Sequence, residues 1–252
     1  MRTGLKRSGN EKFYTKTEVV IECLNTLNLS SYSTVIEPSA GNGSFSNLIP
    51  NCIAYDILPD CDGIHNQDYL TLDTTSLTNT IVIGNPPFGR NSSLAKKFIK
   101  KSCTYADAIA FILPKSFKKE SMQSAFDGTF HLVKSMDLPQ KSFEIEGESY
   151  DVPCVFQLWE RRSTLRKVTV SEIPKNYRFT KNKSEANLAF QRVGGKAGLF
   201  KTDFSTASEQ SHYFMIMEKI PDNLDIKWES NNTTGPKSIS KKELIHALNK
   251  IT

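Results

Sequence analysis

The sequence predicts an α/β protein: a mostly parallel sheet with helices on both faces and an antiparallel last strand, followed by a smaller, basic α+β region. Three observations carry this. Short β-branched or apolar runs, each stopped by Pro, Gly or Asp, alternate with stretches of helical periodicity. That alternation ends near Trp159. The charge changes at the same place, with 15 basic and 17 acidic residues in 1–158 against 17 and 10 in 159–252.

The elements follow in order. Apolar residues at Val20, Ile21, Leu24, Leu27 and Leu29 predict an amphipathic helix over Thr17 to Leu29. Thr34-Val35-Ile36 reads as a strand that ends in a glycine-rich turn, Glu37 to Gly43. Cys52 to Ile57 is a second strand, closed by Asp56 and Pro59. Thr80 to Gly84 is a third, cut off by Asn85-Pro86-Pro87. A helix over Ser93 to Tyr105 leads to the strand Ala108 to Leu113, stopped by Pro114, and Ser116 to Phe126 reads as helix again. His131 to Leu138 and Val152 to Trp159 read as a final antiparallel pair. The expected domains are 1–160 and 161–252. The last helix, Lys241 to Ile251, opens with a capping-box pattern, Ser240 and Glu243.

Composition excludes several classes. No apolar run approaches the roughly 20 residues that span a bilayer, and no apolar leader segment is present, so the protein is expected inside a cell, its own or an infected one. The five cysteines are scattered, without a Cys-x-x-Cys pair, and the four histidines lack metal-ligand spacing. Neither disulfides nor a metal are expected.

The chemistry concentrates at strand ends, where ligands bind in such sheets. At Asn85-Pro86-Pro87-Phe88 the prolines fix φ and hold the residues before them extended. The Asn85 side-chain oxygen and the Pro86 carbonyl can accept both hydrogens of a planar amino group, and Phe88 offers a face for stacking. In Ala40-Gly41-Asn42-Gly43 the glycines let backbone approach a ligand closely, but neither the dinucleotide pattern nor a phosphate loop is present. Asp56, 13 residues after Gly43, is placed to accept two ribose hydroxyls. Glu37 either binds an ammonium through water or braces the loop backbone.

Taken together, these motifs resemble the class I S-adenosylmethionine-dependent amino-methyltransferases that act on adenine N6 and related targets, in the gamma-type order. The resemblance covers about residues 11 to 160. It implies a Rossmann-like fold, S-adenosyl-L-methionine as cofactor, and catalysis by Asn85, Pro86, Pro87 and Phe88. It further implies cofactor contacts from Tyr14 and Thr15, from Glu37, Pro38, Ala40, Gly41, Gly43 and Phe45, from Asp56, and from Asp68 and Tyr69. Leu113 to Phe117 resembles a later motif on the pocket wall. In-line attack on the methyl carbon asks for atoms held ~3–3.5 Å apart rather than for acid–base residues.

The expected substrate is adenine in nucleic acid, flipped out or single-stranded. Arg161, Arg162, Arg166, Lys167, Arg178, Lys181, Lys183, Arg192 and Lys196 are candidates for holding its phosphates. Tyr177 and Phe179 either stack or pack, while Phe190 is expected to pack. Gln191 to Gly195 is a candidate loop for approaching the substrate backbone. The roughly 92 residues after Glu160 are few for reading a long sequence, which favours DNA with a short or relaxed site over RNA. Alternatives are an RNA adenine-N6 methyltransferase, a protein glutamine-N5 methyltransferase and a catalytically silent cofactor-binding subunit. A companion nuclease or partner subunit is compatible with the reading; neither it nor the oligomeric state is specified by one chain.

Overall fold

The computed structural model describes residues 12–167, 172–221, 224, 226, 228 and 237–251. The chain divides into two compact units, Met1–Arg166 and Lys167–Thr252. The division falls after Arg166 rather than near Glu160, because the segment after the last long strand is bonded back to the first unit through Arg162 N to Thr129 O and Arg166 N to Gly128 O.

In chain order, the first unit contains β1 (Tyr14–Thr15), α1 (Thr17–Leu24), β2 (Thr34–Glu37), β3 (Ile53–Asp56), β4 (His65–Asn66), β5 (Thr80–Gly84), α2 (Ser93–Ser102), β6 (Ala108–Pro114), α3 (Glu120–Gln123), β7 (Phe130–Asp137), β8 (Phe143–Ile145), β9 (Glu148–Tyr150) and β10 (Cys154–Arg161). The main sheet has the order β4-β3-β2-β5-β6-β10-β7. The neighbours from β4 to β6 run parallel, and β10 is antiparallel to both β6 and β7. This is a Rossmann-like, doubly wound sheet, as the sequence predicts.

Every residue of β6 is buried, which a strand covered on both faces requires. Side-chain alternation then divides the core. Val82, Ile109, Phe111 and Val155 meet Ala95, Phe98 and Ile99 of α2 on one face. Ile81, Ile83, Ala110 and Phe156 meet Val19, Val20 and Cys23 of α1 on the other. Strands run outward in both directions from the β2–β5 junction, which is the topological switch point where such sheets bind ligands.

All four expected helices are shorter than periodicity suggests, α2 and α4 by three residues at their ends and the other two by more. After α1 the Thr26 hydroxyl donates to Cys23 O at 2.7 Å, a local bond that competes with the helical ladder. Leu27 and Leu29 still reach the core, Leu27 from irregular chain and Leu29 from a 3₁₀ turn, Leu29–Ser31. The stretch from Ser116 to Phe126 breaks at Lys119, which is extended, into one 3₁₀ turn and α3. A small sheet, β1-β8-β9, went unseen in the sequence because its strands are two or three residues long.

Among the described residues the second unit is an antiparallel sheet of order β11-β14-β12-β13 with one α-helix. Its elements are β11 (Tyr177–Thr180), β12 (Leu188–Gln191), β13 (Phe200–Lys201), β14 (His212–Met217) and α4 (Lys241–Leu248). Tyr177, Leu188, Phe190, Met215 and Met217 pack with Leu244 and Leu248 of α4, so Phe190 is a core residue. The capping box forms as the sequence predicts: Ser240 N donates to Glu243 Oε2 at 2.6 Å and Glu243 N to Ser240 Oγ at 3.2 Å.

Candidate active site

The carboxyl ends of β2, β3 and β5 bring Glu37, Asp56 and Asn85 to the switch point. Glu37 is 1% exposed. Its carboxylate accepts from Ser46 N at 2.7 Å and Phe45 N at 3.4 Å, so it braces the loop. Burial pushes its carboxyl up to about 7 against the lowering effect of those bonds. Gly84 has φ +147°, and a Cβ there would stand 3.3 Å from Glu37 Cγ, so glycine lets β5 end flush against the brace.

Asp56 fixes the other end of the loop. Oδ2 accepts from Gly41 N and Oδ1 from Leu58 N, both at 2.8 Å. Each carboxylate oxygen accepts two hydrogen bonds, so each keeps one acceptor position. Gly41 has φ +57°, and a Cβ there would lie 3.1 Å from Tyr14 Cε1, so the loop passes close under the tyrosine ring.

Tyr14 OH donates to Asp60 Oδ2 at 2.8 Å, Lys12 Nζ pairs with the same oxygen at 2.6 Å, and Asp60 N donates to Gly41 O at 2.9 Å. Burial, followed by its bond to Asp60, raises the Tyr14 hydroxyl to about 12; the Lys12 bond holds the Asp60 carboxyl below the usual range. Sequence reasoning missed Asp60, whose partners lie 46 and 48 residues away. It also missed Ile57 and Leu58, which are 71% and 63% exposed beside Asp56. The available signal was two adjacent apolar residues in a turn, before Pro59.

At the end of β5, Asn85 Nδ2 donates to Phe13 O and Thr15 Oγ1, both at 3.3 Å. The amide is thereby oriented, and Oδ1 takes no donor among the described residues. Ser39 Oγ donates to Asn85 O at 3.3 Å, linking the loop to the corner. Pro86 is buried and its carbonyl has no donor among the described residues; Pro87 is exposed. Phe88 is half-buried and packs against both core clusters, while its carbonyl accepts from Leu94 N and Ala95 N.

Several expected contacts have other partners. Phe45 and Tyr69 are core side chains; Tyr69 is bonded to Ser102 Oγ and Tyr105 OH and stacked on Phe98, so neither ring is exposed. Pro38, Ala40 and Gly43 lie in the braced loop, while exposed Asp68 accepts from Leu70 N at 2.9 Å, capping a 3₁₀ turn. On the Leu113 to Phe117 segment Phe117 is core, and Lys115 pairs with Asp137 at 3.5 Å.

The basic candidates divide into two sets. Arg161 donates to Ala106 O, Cys103 O and Thr129 Oγ1 and lies over Phe130. Arg166 donates to the carbonyls of Asp127, Phe130, Gln123 and Phe126 and lies over Trp159. Both guanidinium groups are structural clamps rather than phosphate contacts. Lys183 donates to Ser205 O and Ala207 O, and Arg192 donates to Gln210 O and lies over Tyr213. Arg162, Lys167, Arg178, Lys181 and Lys196 are exposed, without an ion pair among the described residues. The Gln191 to Gly195 loop is joined to the chain before α4, through Gly194 N to Lys237 O and the bridge Val193–Ser238. Tyr177 is buried, and Lys241 Nζ stands 4.0 Å from the Phe179 ring centroid. Among the described residues no cluster suits a metal ion, and no helix is long and apolar enough to cross a membrane.

No family model and no curated protein matches the chain. Solved structures similar to it include a proposed RNA methyltransferase from Pyrococcus horikoshii, at 16% identity over 60% of this chain and 87% of the other, with a TM-score of 0.45. The 23S rRNA methyltransferase ErmE is 14% identical over 64% of this chain and 74% of its own, with a TM-score of 0.44. Magnesium protoporphyrin IX methyltransferase from Synechocystis, solved with S-adenosylmethionine, is 14% identical over 57% and 77%, with a TM-score of 0.42. Likenesses this distant assign no substrate; the strand order carries the fold.

Proposed function

We propose that the chain transfers the methyl group of S-adenosylmethionine to the N6 amino group of adenine in nucleic acid, with DNA favoured over RNA. The observation that carries this reading is the state of Asn85. Both bonds of its amide NH2 go to the amino-terminal segment, so the oxygen stands at a strand end as an acceptor without a donor among the described residues. A target amino group donating to Asn85 Oδ1 and to the Pro86 carbonyl would have both hydrogens fixed, leaving its lone pair as the one free direction. Phe88 would support the ring.

The residues present suit the cofactor. Asp56 keeps an acceptor for each ribose hydroxyl, exposed Ile57 and Leu58 offer an apolar cover for a purine, and the loop between Glu37 and Phe45 is braced at both ends. Bound there, S-adenosylmethionine supplies an activated methyl carbon. The chain's own part is orientation and exclusion of water, which needs no general base.

The test is incubation with tritiated S-adenosylmethionine and, separately, duplex DNA, single-stranded DNA, RNA and a protein extract, followed by identification of the labelled product. Label as N6-methyladenine in nucleic acid is the expected result. Label confined to protein glutamine, or cofactor binding without transfer to any of the four, would overturn it.

A further inference from the structure

The face of the second unit's sheet that turns away from α4 carries an arrangement the proposed function does not use. Alternation puts Tyr213, Met215 and Met217 toward α4 and His212 and Phe214 on the opposite face. Lys201 joins that second face: its ammonium donates to Gln191 Oε1 at 3.0 Å and His212 Nε2 at 3.4 Å. Lys183 joins it too, with Nζ 5.8 Å from the Phe214 ring centroid and bonded to Ser205 O and Ala207 O. Arg178 lies on the same face at the far edge strand, in register with Ile216.

Each pinned ammonium is held by neutral acceptors only. Glu185 binds Asn182 Nδ2 at 2.8 Å, Asp203 takes Ser205 N at 3.3 Å, and Glu209 and Glu218 are exposed; none pairs with Lys183 or Lys201 among the described residues. His212 is 7% exposed. Burial lowers its ring against the bond to Ser208 O, and the charges of Lys201 and Lys183 lower it further, which favours the neutral ring; with Nδ1 facing Ser208 O at 3.2 Å, Nε2 is the acceptor for Lys201. Two positioned cations with no counter-charge among the described residues are therefore half-buried on one face, an arrangement a bound anion would stabilise.

We infer that Lys183 and Lys201 form a phosphate-binding site for a nucleic-acid backbone, with Arg178 at its far edge. The inference rests on the reading of the substrate as nucleic acid. Arg178 and Lys201 lie three strand spacings apart across the sheet, ~14 Å, and two residues apart along it, ~7 Å, so ~16 Å in all, between the rise of four and of five nucleotides along one strand. A backbone crossing the strands meets several cations in succession.

The full chain is titrated into a fluorescently labelled 20-nucleotide duplex and its single strand over a salt series, beside an S-adenosylmethionine binding measurement. Lys183→Gln and Lys201→Gln should each reduce the slope of log affinity against log salt by about one, while Lys201→Arg keeps it. Lys97→Gln on α2 should change nothing. Thermal melting checks that each variant folds; should one glutamine variant melt early, the other decides. Slopes untouched in both, or lowered equally by Lys97→Gln, overturn this site and leave the substrate reading standing. A wild-type chain that binds cofactor but no nucleic acid at any salt overturns the substrate reading, and this site with it.

Discussion

The two units use positive charge in opposite ways. Residues 1–166 hold 18 basic and 18 acidic side chains; residues 167–252 hold 14 and 9. In the first unit Arg161 and Arg166 turn inward and tie loops together through carbonyl oxygens. In the second, Lys183 and Lys201 are pinned at a sheet face by neutral groups. In sequence these four cations look alike. The difference lies in what they join: each guanidinium spreads its donors over carbonyls of the first unit and lies on an aromatic ring, whereas Lys183 and Lys201 stand at one sheet face, held by carbonyl, amide and imidazole acceptors and without a carboxylate partner among the described residues.

The largest effect should come from the first unit's uncharged corner. Asn85→Ala removes the oriented acceptor and leaves Asp56 and the Glu37 brace untouched, so methyl transfer should fall by about a hundredfold or more while cofactor affinity, read by calorimetry, stays within about twofold. A parallel loss of cofactor affinity would place Asn85 in the loop's support instead.

Arg166→Met sharpens the contrast between clamp and contact. It takes one donor from the carbonyls of Gln123, Phe126, Asp127 and Phe130, of which Gln123 O keeps Phe126 N and Asp127 O keeps Phe130 N. The expected cost is about 2–3 kcal/mol, seen as a fall of roughly 5–10 °C in the first unit's melting temperature, with an unchanged salt slope for nucleic-acid binding. A lowered slope in a stably folded variant would return Arg166 to the phosphate contacts.

These residues also mark where the sequence was legible. The strands of the first unit could be read because apolar runs end abruptly at Pro, Gly or Asp, and the Asn85 corner stood out because Asn-Pro-Pro seldom serves a central strand. Arg166 could not be read, since its carbonyl partners lie 36 to 43 residues away and backbone carbonyls carry no sequence signal. Tyr69 was misleading for a related reason: a motif fixes where the chain passes, not which way a ring turns. An α+β second unit was expected, but its strands could not be placed because the four are only two to six residues long and join through polar loops.

Glu37 gives a pH test confined to the first unit. Its folded carboxyl sits at about 7, above the ordinary ~4.3 of the unfolded chain, so the folded state binds the extra proton between those values. Its contribution to stability is therefore fully present below about pH 4 and lost as pH rises through 7. Between pH 5 and pH 7 the wild type should lose about 2 kcal/mol relative to Glu37→Gln, whose amide oxygen still accepts from Ser46 N. Parallel stability curves for the two proteins would show that the carboxyl titrates alike in the folded and unfolded states.

The smallest effect belongs to α4, which backs the second unit's sheet on the side away from Lys183 and Lys201. Ser240→Ala removes one half of the capping box and frees Glu243 N, a cost of about 1 kcal/mol. Hydrogen exchange should quicken in α4 and the strands it covers, with no change in β5 and β6. Because the cap touches only the α4 side, nucleic-acid affinity should hold at temperatures where the second unit stays folded. Faster exchange accompanied by weaker binding would mean that the cationic face depends on the helix behind it, and that the two faces of this small sheet are not independent.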